Sequence, residues 1–297
     1  MKTTLTLALL STTLFAAPAA PKMRADPPIQ CDSCAEWNAP RAPFRVFGNT
    51  YFVGPAGLGS VLVTSDAGHV LLDGALPQSA PLIDANIRAL GFRTEDVRVI
   101  VNSHAHFDHA GGIAALQRAS GAAVAASAAG ARALERGGPV PEDPQFVGGT
   151  TFPRVTKVRV VADGETLRVG PLAVTAHVTP GHTPGSTSWT WRSCDNGRCL
   201  DVVYADSLNA VSAPGFRFSG DATHPSLVDA FRRTIATVEG LPCDILLAVH
   251  PGFADMDRKL AARAQGAASD PFLDPGACRV YAASARQALE RRLQQEK

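Results

Sequence analysis

The sequence predicts an α/β protein built as a four-layer αββα sandwich, with two sheets face to face and helices outside. Three observations lead there. Short apolar segments punctuated by glycine and proline give way to segments of helical spacing, and this succession occurs twice along the chain. No linker separates the halves, so residues 20–297 read as one domain. The residues richest in chemistry follow apolar runs, where a scaffold presents side chains from strand ends.

The first half opens as a meander of strands over 44–47, 50–53, 60–64 and 69–73. Leu82, Ile83, Ile87 and Leu90 share one side of a helix over 81–90. A strand over 97–101 then runs into a histidine-rich segment and a helix that ends at 119. A short strand over 122–126, a helix over 128–135 and a Pro- and Gly-rich loop over 137–153 follow. The second half repeats the scheme. Strands over 157–161, 166–169, 172–177, 188–191 and 202–204 precede a helix over 226–238. A strand over 245–249 and a charged, amphipathic helix over 278–294, expected to pack on the core, close it.

Composition sets the class. With 297 residues, 45% hydrophobic and 19% charged, the chain can bury a sizeable core. A formal net charge of +1 gives no basic stripe to recruit nucleic acid and no acidic tail. Residues 1–19 have the pattern of an export signal: Lys2, an apolar stretch from Leu5 to Phe15, then Ala17-Pro18-Ala19. The stretch is short for a bilayer span, no later segment reaches about 20 apolar residues, and no lipid-anchor cysteine follows it. A periplasmic protein with no membrane anchor and no obligate protein partner is expected.

Six cysteines in an exported chain point to disulfides. Cys194 and Cys199 bracket a turn-forming stretch and would staple a hairpin. Cys243 and Cys278 can tie the region after one helix to the start of the last. Cys31 and Cys34 remain as a local pair, and such a spacing also serves redox centres and half of a zinc finger.

The segment His104-Ala105-His106-Phe107-Asp108-His109 packs three imidazoles and a carboxylate into six residues, a ligand set for zinc or iron. In extended backbone His104 and His106 point to one side and can share an ion. Asp108 and His109 are expected on the first turn of a helix over 110–119, placed to grip a second. His182, in the turn Gly181-His182-Thr183-Pro184-Gly185, and His250, directly after the strand over 245–249, occupy comparable places. His69, His177 and His224 lack this context and read as ordinary strand or surface residues.

His-x-His-x-Asp-His, a Gly-His turn and a histidine after a late strand together resemble the metallo-β-lactamase superfamily over nearly the whole mature chain. That superfamily also holds thioesterases such as glyoxalase II, lactonases, RNA-processing nucleases and diiron oxygen reductases. His106 stands where the diiron branch has an acid, and the nucleases carry a further domain. Thioesterases and lactonases usually bridge their metals with an aspartate after a strand. Here Tyr204-Ala205-Asp206-Ser207-Leu208 puts Ser207 in that slot and Asp206 one place early. A one-residue offset turns a strand side chain to the opposite face, so Asp206 reads as structural unless a bulge restores it as a ligand.

Tyr204-Ala205-Asp206-Ser207-Leu208, His109 and the stretches Asn86-Ile87-Arg88-Ala89-Leu90-Gly91-Phe92 and Ser188-Trp189-Thr190-Trp191 resemble subclass B3 of the metallo-β-lactamases. So do the Cys194/Cys199 and Cys243/Cys278 pairs. Some relatives pair an N-terminal cysteine with one near residues 56–57; Ala56 and Gly57 stand here, which favours Cys31 with Cys34.

The resemblance implies two zinc ions, one on His104, His106 and His182, the other on Asp108, His109 and His250. A hydroxide shared between them would attack the β-lactam carbonyl of penicillins, cephalosporins and carbapenems, oriented by Asp108 as the catalytic carboxylate. Ser207, Asn209 and Gln145 are the candidates for holding the substrate. Asn209 occupies a position that is often Ser or Thr. Asp73 is a candidate partner for a ligand histidine or nearby backbone. An exported thioester or lactone hydrolase is the alternative, which Asp206 as a bridging ligand would favour.

Overall fold

The computed structural model describes residues 23–148 and 151–297; the export-signal segment lies outside them. Helix α1 (Cys34–Trp37) leads into the meander β1 (Phe44–Phe47), β2 (Thr50–Phe52), β3 (Val61–Val63) and β4 (His69–Leu72). Helix α2 (Ala80–Ala89), β5 (Val97–Val101), helices α3 (Phe107–Ala110) and α4 (Ile113–Ser120), β6 (Ala123–Ala126), α5 (Ala128–Arg136) and β7 (Val158–Val160) complete the first half. These seven strands form one sheet in sequence order.

The second half runs β8 (Thr166–Val169), β9 (Leu172–Val178), β10 (Thr187–Asp195), β11 (Arg198–Ala205), α6 (Val228–Gly240), β12 (Ile245–Ala248), α7 (Met256–Ala264) and α8 (Ala277–Gln295). Its five strands are ordered β12-β11-β10-β9-β8, with β12 parallel to β11.

Two-residue periodicity sorts the strand side chains into layers. Val61, Val63, Val70, Leu72 and Val101 face Trp189, Trp191, Val202, Tyr204 and Leu247 between the sheets. Leu62, Leu71, Ile100 and Val124 turn outward to α2 and α4. Val203, Ala205, Leu246 and Ala248 turn outward to α6 and α8. Two buried helix-facing layers around one inter-sheet core are the αββα sandwich the sequence predicts.

Two expectations need correction. Asp108 and His109 sit on a separate turn, α3, and not on the first turn of the following helix. The break comes at Gly112, whose N–H donates to the Ala75 carbonyl and not back into the helix. A Cβ on Gly112 would stand 2.2 Å from the Gly74 carbonyl oxygen, so only glycine allows this approach. Helix α7 also stands where no helix was expected. All three expected disulfides form: Cys31–Cys34, Cys194–Cys199 across β10 and β11, and Cys243–Cys278 onto the first turn of α8.

Candidate metal centre and cleft

Strand ends bring the predicted residues together. His104 and His106 follow β5, His182 lies in the turn between β9 and β10, and His250 follows β12. The loop before His104 is fixed from below by Asp73, fully buried between the sheets. Its Oδ1 accepts from Asn102 Nδ2 at 2.9 Å and from the Ser103 backbone N–H at 2.8 Å. Its Oδ2 accepts from Ser103 Oγ at 2.6 Å and Tyr204 Oη at 2.9 Å. Asp73 therefore holds one backbone N–H and three side chains, none of them a histidine; burial pushes its carboxyl up to about 6, although His109, Ser103 and Tyr204 oppose the rise.

The ligand atoms of His104, His106 and His182 lie within 4.8 Å of one another, as do those of His104, Asp108 and His109. His104 thus stands between two sets. The closest contacts complete the second with His250: His109 Nε2 is 3.2 Å from both Asp108 Oδ2 and His250 Nε2, and His250 Nε2 is 3.5 Å from Asp108 Oδ2. Two atoms each about 2.05 Å from one tetrahedral ion lie roughly 3.3 Å apart, so this triangle has the size of a zinc ligand face.

Second-nitrogen contacts aim the imidazoles. His104 Nδ1–H donates to Asp206 Oδ1 at 2.6 Å, and its Nε2 is buried without a protein partner. His106 Nε2–H donates to Asp143 Oδ2 at 3.0 Å, freeing Nδ1. His182 Nδ1–H donates to the Asn209 carbonyl at 2.9 Å, and His250 Nδ1–H to the Gly57 carbonyl at 3.3 Å. In all four rings one nitrogen is held as a donor, so the other carries the lone pair a metal needs, which on His182 Nε2 is met by the Gln145 amide. An unpartnered Nε2 on a ring 1% exposed is costly unless a cation accepts it, so the donor set fits a metal.

Burial favours the neutral form of three of these rings, His104, His182 and His250. It pushes His104 well below the ordinary imidazole range, helped by its histidine neighbours, and takes His182 and His250 down to about 4. Burial would raise Asp108, but His109 beside it holds the carboxyl well below the usual range. His109, which burial alone would lower, is raised by the same pairing.

The ligands open into a cleft of about 760 Å³, lined also by Ser207, Asn209 and Gln145, so all three predicted substrate residues reach it. Gln145 Nε2 lies 3.2 Å from His182 Nε2, and its backbone N–H donates to Asp143 Oδ1 at 2.8 Å. Asp206, expected as structural, instead backs His104 from the side away from its free nitrogen. The sequence reading missed the apolar walls Trp37, Phe107 and Phe253, of which Trp37 packs 5.4 Å from the His250 ring. It also missed Asp143, for which the Asp-Pro turn beside Gln145 was the available signal. The one Lys or Arg among the described lining residues, Arg41, is paired with Asp257 at 2.5 Å.

A donor set of five histidines and one aspartate at the mouth of an αββα sandwich defines a metal-dependent hydrolase. Residues 59–250 match the model of the metallo-β-lactamase superfamily. Among solved structures, the Rm3 metallo-β-lactamase is 56% identical at a TM-score of 0.87, covering 90% of this chain and 99% of that one. MEM-A1, a subclass B3 metallo-β-lactamase from a soil metagenome library, is 50% identical at 0.85, covering 88% and 98%. A hydroxyacylglutathione hydrolase of Anaeromyxobacter dehalogenans (strain 2CP-C) is 32% identical over 155 residues, 52% of this chain. That match spans about half of the curated relative, 47% of its length. The chain belongs to the metallo-β-lactamase superfamily and, within it, to subclass B3.

Proposed function

We propose that this protein is an exported, zinc-dependent β-lactamase that opens the β-lactam amide of penicillins, cephalosporins and carbapenems, and so confers resistance to them. The observation that carries this reading is the placement of Ser207 and Asp206. Ser207 lines the cleft, while Asp206 turns its Oδ1 to His104 Nδ1, behind the ring. A thioesterase-type bridging aspartate would face the ligand atoms. The likeness to B3 enzymes over almost the whole of both chains supports the same reading.

His104, His106 and His182 would hold one zinc, and Asp108, His109 and His250 a second. Bound zinc supplies a Lewis acid and a water whose pKa is lowered toward 7. Asp108, kept ionised by His109, accepts a hydrogen bond from the attacking water and orients it. Ser207 Oγ–H and the Asn209 side chain offer donors to the substrate carboxylate, and Gln145 reaches in from the loop over 137–153. Trp37 and Phe253 form apolar walls for the substrate body and exclude water from it.

Residues 1–19 would direct export to the periplasm, and 20–297 form the single mature domain. The three disulfides suit that oxidising compartment. No helix among the described residues is long and apolar enough to cross a membrane. A small-molecule substrate, with no nucleic acid and no obligate protein partner, completes the proposal.

A panel of penicillin, cephalosporin, carbapenem, lactone and thioester substrates, assayed with and without chelator, tests it. Chelator-sensitive β-lactam turnover is expected. Thioester or lactone turnover without β-lactam turnover would refute the proposal.

A further inference from the structure

A second cavity of about 500 Å³ lies between α7, α8 and the 3₁₀ turn Pro251–Ala254, and Asn209 and Phe253 line both it and the main cleft. Lys259, on α7, lines it although the residue is only 4% exposed. Its ammonium lies 5.9 Å from the centre of the Phe272 ring and has no hydrogen-bond partner among the described residues. Burial lowers its pKa, with Asp274 and Asp255 acting only from a distance in the other direction. Both acids also line the cavity, and each accepts from another donor. Asp255 Oδ2 accepts from Arg258 at 2.9 Å, and Asp274 Oδ1 accepts the Gly276 N–H at 2.9 Å. Arg291, exposed on α8, also lines the cavity and has no ion-pair partner among the described residues.

Two cations without acid partners therefore share a hollow whose other lining mixes the apolar Leu246, Phe253 and Val280 with Asp255, Asp274 and the ion-paired Arg258, and Val280 is 66% exposed at its edge. A buried ammonium without a partner is costly, and an anion removes that cost while strengthening in the partly dry setting. Water alone would satisfy the ammonium but would leave Val280 and Phe253 uncovered.

We propose that this cavity is a second binding site, for small carboxylates with an apolar body, whose carboxylate meets Lys259 and Arg291 while the body covers Val280 and Phe253. Ring-opened β-lactams belong to that class, an identification that rests on the proposed function; the site itself does not. Because the cavity adjoins the cleft at Asn209 and Phe253, a carboxylate leaving the cleft meets it next.

Lysine is scarce here, at positions Lys2, Lys22, Lys157, Lys259 and Lys297, so ε-13C-lysine NMR of the zinc-loaded enzyme reads the site directly. The probe is 4-fluorophenylacetate, which contains no β-lactam, so a failure of β-lactam turnover leaves this readout intact. The Lys259 signal should shift saturably while those of Lys157 and Lys297 stay. Lys259→Met should weaken binding about tenfold, the loss of one charge-assisted contact, with saturating turnover within about twofold of the parent. Arg291→Gln, at an exposed position that folding tolerates, should weaken it several-fold and carries the test if Lys259→Met does not fold. An unmoved Lys259 signal, or affinity unchanged in the variants that fold, would overturn the proposal. Equal affinity for acetate would overturn its apolar half.

Discussion

Removing the Asp206 carboxylate should loosen the metal site without removing a ligand. His104 Nδ1–H donates to Asp206 Oδ1 at 2.6 Å, with the two side chains 1% and 0% exposed, so Asp206→Ala leaves a buried donor with no acceptor. A hydrogen bond to a charged group is worth about 1.5–3 kcal/mol. Loss of a carboxylate behind a metal-ligating histidine costs about 10–100-fold in affinity, roughly 1.4–2.8 kcal/mol, so the two scales agree. Asp206→Asn, whose amide oxygen can still accept, should lose less. The assay is zinc competition against a chromophoric chelator, with metal content and the urea midpoint of the chelated protein measured in parallel. Zinc stoichiometry should be kept while affinity falls. Affinity within twofold of the parent would refute the orienting role, and loss of bound zinc altogether would show that Asp206 is itself a ligand.

Asp143 accepts from both His106 Nε2 and the Gln145 backbone N–H, so Asp143→Ala should free the loop carrying Gln145. Steady-state kinetics should show kcat/KM down about tenfold with most of the change in KM, whereas an unchanged KM would count against the tether. A Cβ on Gly181 would sit 1.7 Å from Phe231 Cδ2, so Gly181→Ala should cost about 1–3 kcal/mol in urea unfolding and displace His182. Phe231→Leu in the same chain should recover part of that cost. The Cys243–Cys278 bridge spans 35 residues, and replacing both with alanine should cost roughly 4 kcal/mol by loop entropy. The Cys31–Cys34 bridge spans 3 residues, so its loss should lower the urea midpoint clearly less.

The layers and the ligands were legible because their signals are local. The short runs Val61–Val63 and His69–Leu72, buried on both faces, read as strands covered on two sides, and a His-x-His-x-Asp-His run has few structural uses. Helix α7 was illegible for a physical reason. Its buried residues are Met256 and Lys259, so one of the two positions that would mark an apolar face carries a charge. Helix α1 has four residues and no period to read, yet it carries Trp37 to the cleft wall.

What turns the ligand set into a site is the least local part of it. His104 is aimed by a carboxylate 102 positions away, His106 by one 37 away, and His250 by a backbone carbonyl 193 away. The Asn209 carbonyl that holds His182 could not be told from that of any turn residue, because a backbone oxygen has no sequence signature. The Ser207 register shows the same limit. Sequence spacing could say that Asp206 missed the bridging slot, but only the fold shows where its carboxylate went. An offset of one residue thus makes Asp206 the acceptor that fixes the His104 tautomer, and leaves Ser207 to line the cleft.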